Sequence, residues 1–207
     1  MSSLSRPTRV QMSLKPKSVP SLFVRVAVAL AVVLLATSGG AGPRLVPAPL
    51  RAAIVVKSVG YEKGFASRTD EAVIAVVLGE SGEPQADGQA MAAIFAKLVQ
   101  KTRIAGRATR IVQVVYSGDT AAKLRAAGPD VVYLASGLEG MADEIPTSEG
   151  NKQRIVVCSH GSQVSEGCAL GVELAGDKPR LVVNLKRASE AGLRFEPALL
   201  RLARVVR

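Results

Sequence analysis

Both cysteines and the only histidine of this 207-residue chain fall within eleven residues, CSHGSQVSEGC, from Cys158 to Cys168. Three chemistries compete for such a set. A structural zinc takes four ligands, usually in paired clusters. Cys158, His160 and Cys168 supply three, and no further Cys or His exists to complete them. A thiol nucleophile would use Cys158 with His160 as its base, two positions apart on one strand and so facing the same way. No Gly-rich oxyanion turn follows a strand-to-helix junction there, however. A disulfide asks only that the two sulfurs meet in an oxidising compartment. The compartment decides between them, and the signal for it lies at the other end of the chain.

Residues 1–42 contain no Asp or Glu but carry Arg6, Arg9, Lys15, Lys17 and Arg25. VAVALAVVLLA (26–36) follows without a polar side chain, and TSGGAGP then supplies small residues, with Gly39 and Ala41 spaced for a cleavage enzyme. A basic start, an apolar core and a small-residue exit predict a secretory signal peptide over 1–42, removed on export. Met1 and Met12 both suit its start. The rival is an uncleaved anchor, which needs about 20 apolar residues, whereas the run from Leu22 to Ala36 is shorter and broken by Arg25.

Removing the leader corrects the charge. The whole chain is +10, but five of its 27 basic residues lie in residues 1–42, leaving 22 against 17 acids. With three Tyr, four Phe and no Trp, the chain lacks a platform for stacking bases, so a nucleic-acid partner is not expected. Arg201, Arg204 and Arg207 recur every third residue and read as the solvated face of a closing helix over 197–206.

The elements that would position the eleven-residue stretch alternate along the chain. PRLVPAPL (43–50) is a Pro-rich lead-in, and RAAIVVKSVGYEKGFASR (51–68) reads as an entry helix. AVIAVVLG (72–79), apolar throughout, predicts a strand buried on both faces. ESGEPQADG (80–88) reads as a solvated polar loop and QAMAAIFAKLVQK (89–101) as a helix. Further strands fall at 109–116, 130–136 and 153–159, with a helix over 119–128 capped by Asp119 and ended by Gly128. CALGVELAGDKPRLVVNL gives two strands joined at a turn. This alternation predicts an α/β fold over 51–207, a mostly parallel sheet with helices on both faces and an antiparallel hairpin near the C-terminal edge. The loop after the first strand lacks G-x-G-x-x-G spacing and a Walker lysine, and its Glu80, Glu83 and Asp87 would repel phosphate, so no cofactor is expected. In YLASGLEG (133–140), Ser136 and Gly137 could donate to a ligand but read as a turn.

The tail NLKRASEAGLRFEPALLRLARVV (184–206) carries a more specific pattern: Asn184, Leu185, Ala188, Ala191, Gly192, Leu193, Phe195, Leu199, Leu200 and Ala203. On these residues the chain resembles the YfiR-like family of periplasmic proteins, whose founding members repress a membrane-bound diguanylate cyclase. VVKSVGYEKGFASR resembles the family's entry helix, with Lys57 and Tyr61 in register and Glu62 where aspartate is expected. Glu196 replaces a serine that often caps the last helix.

The resemblance implies a non-enzymatic domain outside the inner membrane, often dimeric, that binds the extracytoplasmic part of a membrane signalling protein. Such a partner would be a diguanylate cyclase or a sensor kinase, and Lys57 and Tyr61 are the candidate contact residues. A small-ligand receptor using the crevice at the strand ends is the alternative. In the oxidising compartment that export implies, Cys158 and Cys168 are expected to be bonded across a hairpin loop, worth roughly 2–3 kcal/mol. His160 is then a solvated loop residue and no metal is expected.

Overall fold

The computed structural model describes residues 45–150 and 152–207; the expected signal peptide and the start of the Pro-rich lead-in lie outside them. Strand β1 (Ala72–Leu78) is buried at every position, as its unbroken apolar sequence requires. It therefore lies inside the sheet. β2 (Thr109–Val115) flanks it on one side and β3 (Val131–Leu134) on the other, both parallel to it. After a small antiparallel pair, β4 (Ser148–Glu149) and β5 (Lys152–Gln153), come β6 (Ile155–Cys158), β7 (Leu170–Ala175), β8 (Lys178–Asn184) and β9 (Arg204–Val206). The main sheet runs in the order β2-β1-β3-β6-β7-β8-β9. Only β7 and β8 pair antiparallel, as a hairpin turned by Gly176 and Asp177, so the mostly parallel α/β architecture and its hairpin near the edge are as expected.

Helices α1 (Ala48–Val59), α2 (Lys63–Ala66), α3 (Gly82–Lys101), α4 (Thr120–Ala127), α5 (Leu185–Glu190) and α6 (Pro197–Leu202) complete the fold. One face of the sheet, with Ile74, Val76, Val131, Tyr133 and Val157, packs against Val55, Val59, Met91 and Phe95 from α1 and α3. The other face, with Val77, Val132, Leu134 and Cys158, packs against Leu124 of α4 and Leu138 and Ala142 after β3. At the start of β3 the fully buried Asp130 accepts from the Val73 amide at 2.8 Å and pairs with Arg68 at 2.7 Å and with Arg107 and Lys152 at 3.4 Å. A buried carboxylate persists only when paired in this way.

Four local expectations are corrected. The loop at 80–88 is largely the first turns of α3, which begins at Gly82. This helix lies so close to β1 that a Cβ at Gly88 would stand 2.3 Å from Leu78 Cβ, so glycine is required there. The entry helix starts earlier, within the lead-in, because Pro49 in its first turn has no amide to lose. It also breaks at Gly60–Tyr61, and Glu62 explains the break. Its carboxylate accepts from the Phe65 amide at 2.5 Å, capping α2, and from the Arg194 amide at 2.9 Å. Asp119 stands at the start of α4 without capping it, binding Ser117 and Lys123 instead.

The closing helix ends at Leu202, and the chain continues as β9 beside Val182, Val183 and Asn184. The β-branched Val205 and Val206 suit that edge position, and Arg204 turns inward to Glu173 at 2.8 Å instead of joining a basic helix face. Asn184 caps α5 through the Arg187 amide, and Gly192 stops the segment at φ +70°. Glu196 makes no side-chain cap, in keeping with its poor fit to that role.

Candidate functional site

In doubly wound sheets the strand order reverses between two neighbours, and ligands bind outside the carboxyl ends of those strands. Here the reversal lies between β1 and β3, since the chain passes from β1 to β2 on one side and returns to β3 on the other. The turn after β3 presents Ser136 and Gly137 at that point. Their donors are already used. The Ser136 amide donates to Asp87 Oδ2 at 2.9 Å, the Ser136 hydroxyl to Glu83 Oε1 at 2.8 Å, and the Gly137 amide to Glu139 Oε2 at 2.8 Å. Pro84 fills the remaining space, since a Cβ on Gly79 or Gly137 would lie 2.8 or 3.2 Å from its ring. The chain's own carboxylates occupy the positions an anion would take.

Behind this plug lies a buried pair that the sequence reading missed. Arg51 of α1, 1% exposed, forms an ion pair with Asp87 of α3, and its guanidinium carbon stands 5.8 Å from the Tyr133 ring centroid. Burial raises the Tyr133 hydroxyl well above its ordinary pKa, with Arg51 opposing that effect. Asp87 thus links α1, α3 and the turn after β3. The signal was present in the spacing: Arg51 stands four residues before Val55 and eight before Val59, on the apolar stripe of its helix.

The eleven-residue stretch lies next along the sheet. Cys158 and Cys168 are bonded, with Cα atoms 5.8 Å apart, and both are fully buried. The connection between them is not a hairpin. β6 and β7 pair in parallel, Val157 with Leu170 and Cys158 with Gly171, so the chain must cross over, through a 3-10 turn at Gly161–Glu166. The crossover lies tight on the sheet: a Cβ at Gly171 would stand 2.4 Å from Val164 Cγ2. With both sulfurs in the bond, neither is a thiol nucleophile or a thiolate ligand.

His160 is not a solvated loop residue. Its side chain is 14% exposed and its Nδ1 lies 2.7 Å from Glu139 Oε1. Glu139, itself 1% exposed, also accepts from the Ser159 hydroxyl. Burial would push this carboxyl upward, but the hydrogen bonds from His160 and Ser159 prevail and hold it below the usual carboxylate range. Because Nδ1 meets Glu139 while Ser159 bonds that same carboxylate, the trio ties the turn after β3 to the end of β6. Ser159 Oγ also lies 3.1 Å from His160 Nδ1, the same nitrogen that meets Glu139, whereas a nucleophilic triad places the hydroxyl and the carboxylate on opposite ring nitrogens.

Lys57 and Tyr61 lie elsewhere, near the sheet's opposite end, where α3 hands the chain to β2. They line a cavity of about 380 Å³ between the C-terminal turns of α1 and α3, with Ala53, Val56, Leu98 and Ile104 on its apolar wall. Lys57 is exposed and Tyr61 half-buried. The structure thus brings these two residues to one groove, and places the disulfide and His160 apart from it.

Comparison with known proteins follows the same lines. The family model described as YfiR/HmsC-like matches residues 48–204, nearly all of the described chain. No curated protein matches. Among solved structures, an ABC domain from Streptococcus pneumonia, in complex with L-Trp, is similar at TM-score 0.52 and 13% identity over 77% of this chain. A conserved domain protein from Vibrio cholerae O1 biovar El Tor is similar at TM-score 0.51 and 16% identity over 78%. The chain spans only 62% and 60% of those two chains, and the likeness is one of fold.

Proposed function

The chain belongs to the YfiR/HmsC-like family, a family of periplasmic regulatory proteins, and from that premise we propose that it is a non-enzymatic regulator acting outside the inner membrane. It binds the extracytoplasmic domain of a membrane signalling protein, a diguanylate cyclase or a sensor kinase, and restrains it. Its signal peptide is removed on export, and the oxidising compartment maintains the bond between Cys158 and Cys168. Restraint needs no chemistry: a protein that prefers the partner's inactive state shifts that equilibrium by its differential affinity.

The carrying observation is the plugged switch point. The amides and hydroxyl that a ligand or oxyanion would need at the strand ends are taken by Asp87, Glu83 and Glu139. This weighs against a receptor that uses that crevice; the contact region of this reading is the surface around Lys57 and Tyr61, which share one groove. The test is co-expression with a membrane-bound diguanylate cyclase or sensor kinase from the same cell. Signalling output should fall when the protein is present and recover with the double variant Lys57→Glu, Tyr61→Ala. Output that is indifferent to the protein, or equally restrained by the correctly folded double variant, refutes this reading.

A further inference from the structure

The groove between α1 and α3 has features of a small-molecule site. Its volume of about 380 Å³ falls within the range of about 300–1,000 Å³ usual for such sites. Its wall is apolar, from Ala53, Val56, Leu98 and Ile104, and no acidic residue lines it. Two cations, Lys57 and Arg103, stand on its rim. Both are exposed, and neither has a carboxylate partner among the described residues. Arg103 only donates to the Gly106 carbonyl at 3.3 Å.

The backbone at the groove is also unusual. Ala105, one of the lining residues, has φ +48° and is the sole non-glycine residue with positive φ among those described. A left-handed alanine is disfavoured by its own Cβ. Gly106 beside it is also left-handed, at φ +81°, and the pair forms the centre of the tight turn that joins Ile104 to Arg107. Here the alanine methyl is kept, on the rim of an apolar recess.

From the apolar wall and the two cations on its rim we infer that this groove binds a small amphipathic anion, an aliphatic chain of medium length ending in a carboxylate. The chain lies along Val56, Leu98 and Ile104, and the carboxylate meets Lys57 and Arg103. This site is distinct from the strand-end crevice, and its occupancy does not depend on whether Lys57 and Tyr61 also meet a protein.

The test uses protein purified from the periplasm after expression of the full chain, titrated calorimetrically with octanoate, octanol and octylammonium. Octanoate should bind at least tenfold more tightly than either comparator, with amide shifts centred on Val56, Leu98, Ile104 and Ala105. The double variant Lys57→Glu, Arg103→Glu should weaken octanoate at least tenfold while leaving octanol unchanged. Ala53→Trp, on an exposed helix position, should block both. Equal affinity for octanoate and octylammonium, shifts elsewhere on the molecule, or no octanoate binding at millimolar concentration overturns the inference. So does co-sedimentation with phosphatidylglycerol vesicles in the absence of octanoate binding, which would assign the cations to a membrane surface.

Discussion

Replacing both sulfurs, Cys158→Ala with Cys168→Ala, opens the bond without introducing a new polar group. The cysteines are ten positions apart, and the chain-entropy relation for a loop of that size gives about 2.7 kcal/mol at 25 °C. Both positions are fully buried, so the smaller alanines leave voids that add about 1 kcal/mol. The expected loss is therefore about 3.7 kcal/mol, a sizeable part of the roughly 5–15 kcal/mol that holds a domain together. For a domain of this length each kcal/mol moves the melting temperature by about 2–4 °C, which places the variant roughly 7–15 °C lower. Urea unfolding of the oxidised protein and the variant, followed by circular dichroism, measures the difference directly. A second readout follows from burial: native protein in mild reductant should release its thiols only as fast as the β6–β7 crossover opens. A stability difference below about 1 kcal/mol, or immediate thiol release under native conditions, would falsify the view of this bond as a buried staple of the crossover.

Three further outcomes are expected. Asp130→Ala removes the buried carboxylate that Arg68, Arg107 and the Val73 amide share, leaving Arg107 only the exposed Asp70 as an acid, and should cost about 3–5 kcal/mol in urea unfolding; a loss under about 1 kcal/mol would mean that Asp70 and the nearby carbonyls satisfy Arg107 unaided. Ala105→Gly relieves the left-handed backbone and should stabilise the protein by about 0.5–1 kcal/mol in the same assay. Glu139 has its folded pKa depressed, so its contribution is present above the unfolded carboxylate pKa and fades as pH falls through the folded value. Glu139→Gln should accordingly flatten the acid limb of a stability-against-pH curve, and an unchanged acid limb would show that His160 and Ser159 do not favour the ionised form.

The central strands were legible because burial on both faces leaves a plain mark: AVIAVVL admits few other readings. The hairpin at Gly176–Asp177 and the caps at Asn184 and Gly192 were legible because each depends on one local residue. What failed depended on distant partners. Residues 82–88 look like a loop by composition, and only the packing of Gly88 on Leu78 makes them helix. Cys158 ends β6 and Cys168 lies just before the parallel neighbour β7, a relation that depends on the crossover lying on the sheet and has no signature in the polar residues between them. Arg204 reads as one more surface arginine until β8 brings Glu173 into reach. The strand-end plug was half visible: the acids were in view, but their bonds to Ser136 and Gly137 required the fold.

Glu62 has a consequence for how the molecule is made. Its two carboxylate oxygens fasten α2 to the segment entering the last helix, 132 positions away. An early part of the described fold is thus secured by one of the last parts to leave the ribosome. A transcript truncated after codon 192 would damage the beginning of the domain as much as its end, removing the Arg194 amide and leaving a buried carboxylate half satisfied. During synthesis the entry region must wait, loosely held, for nearly the whole polypeptide to arrive.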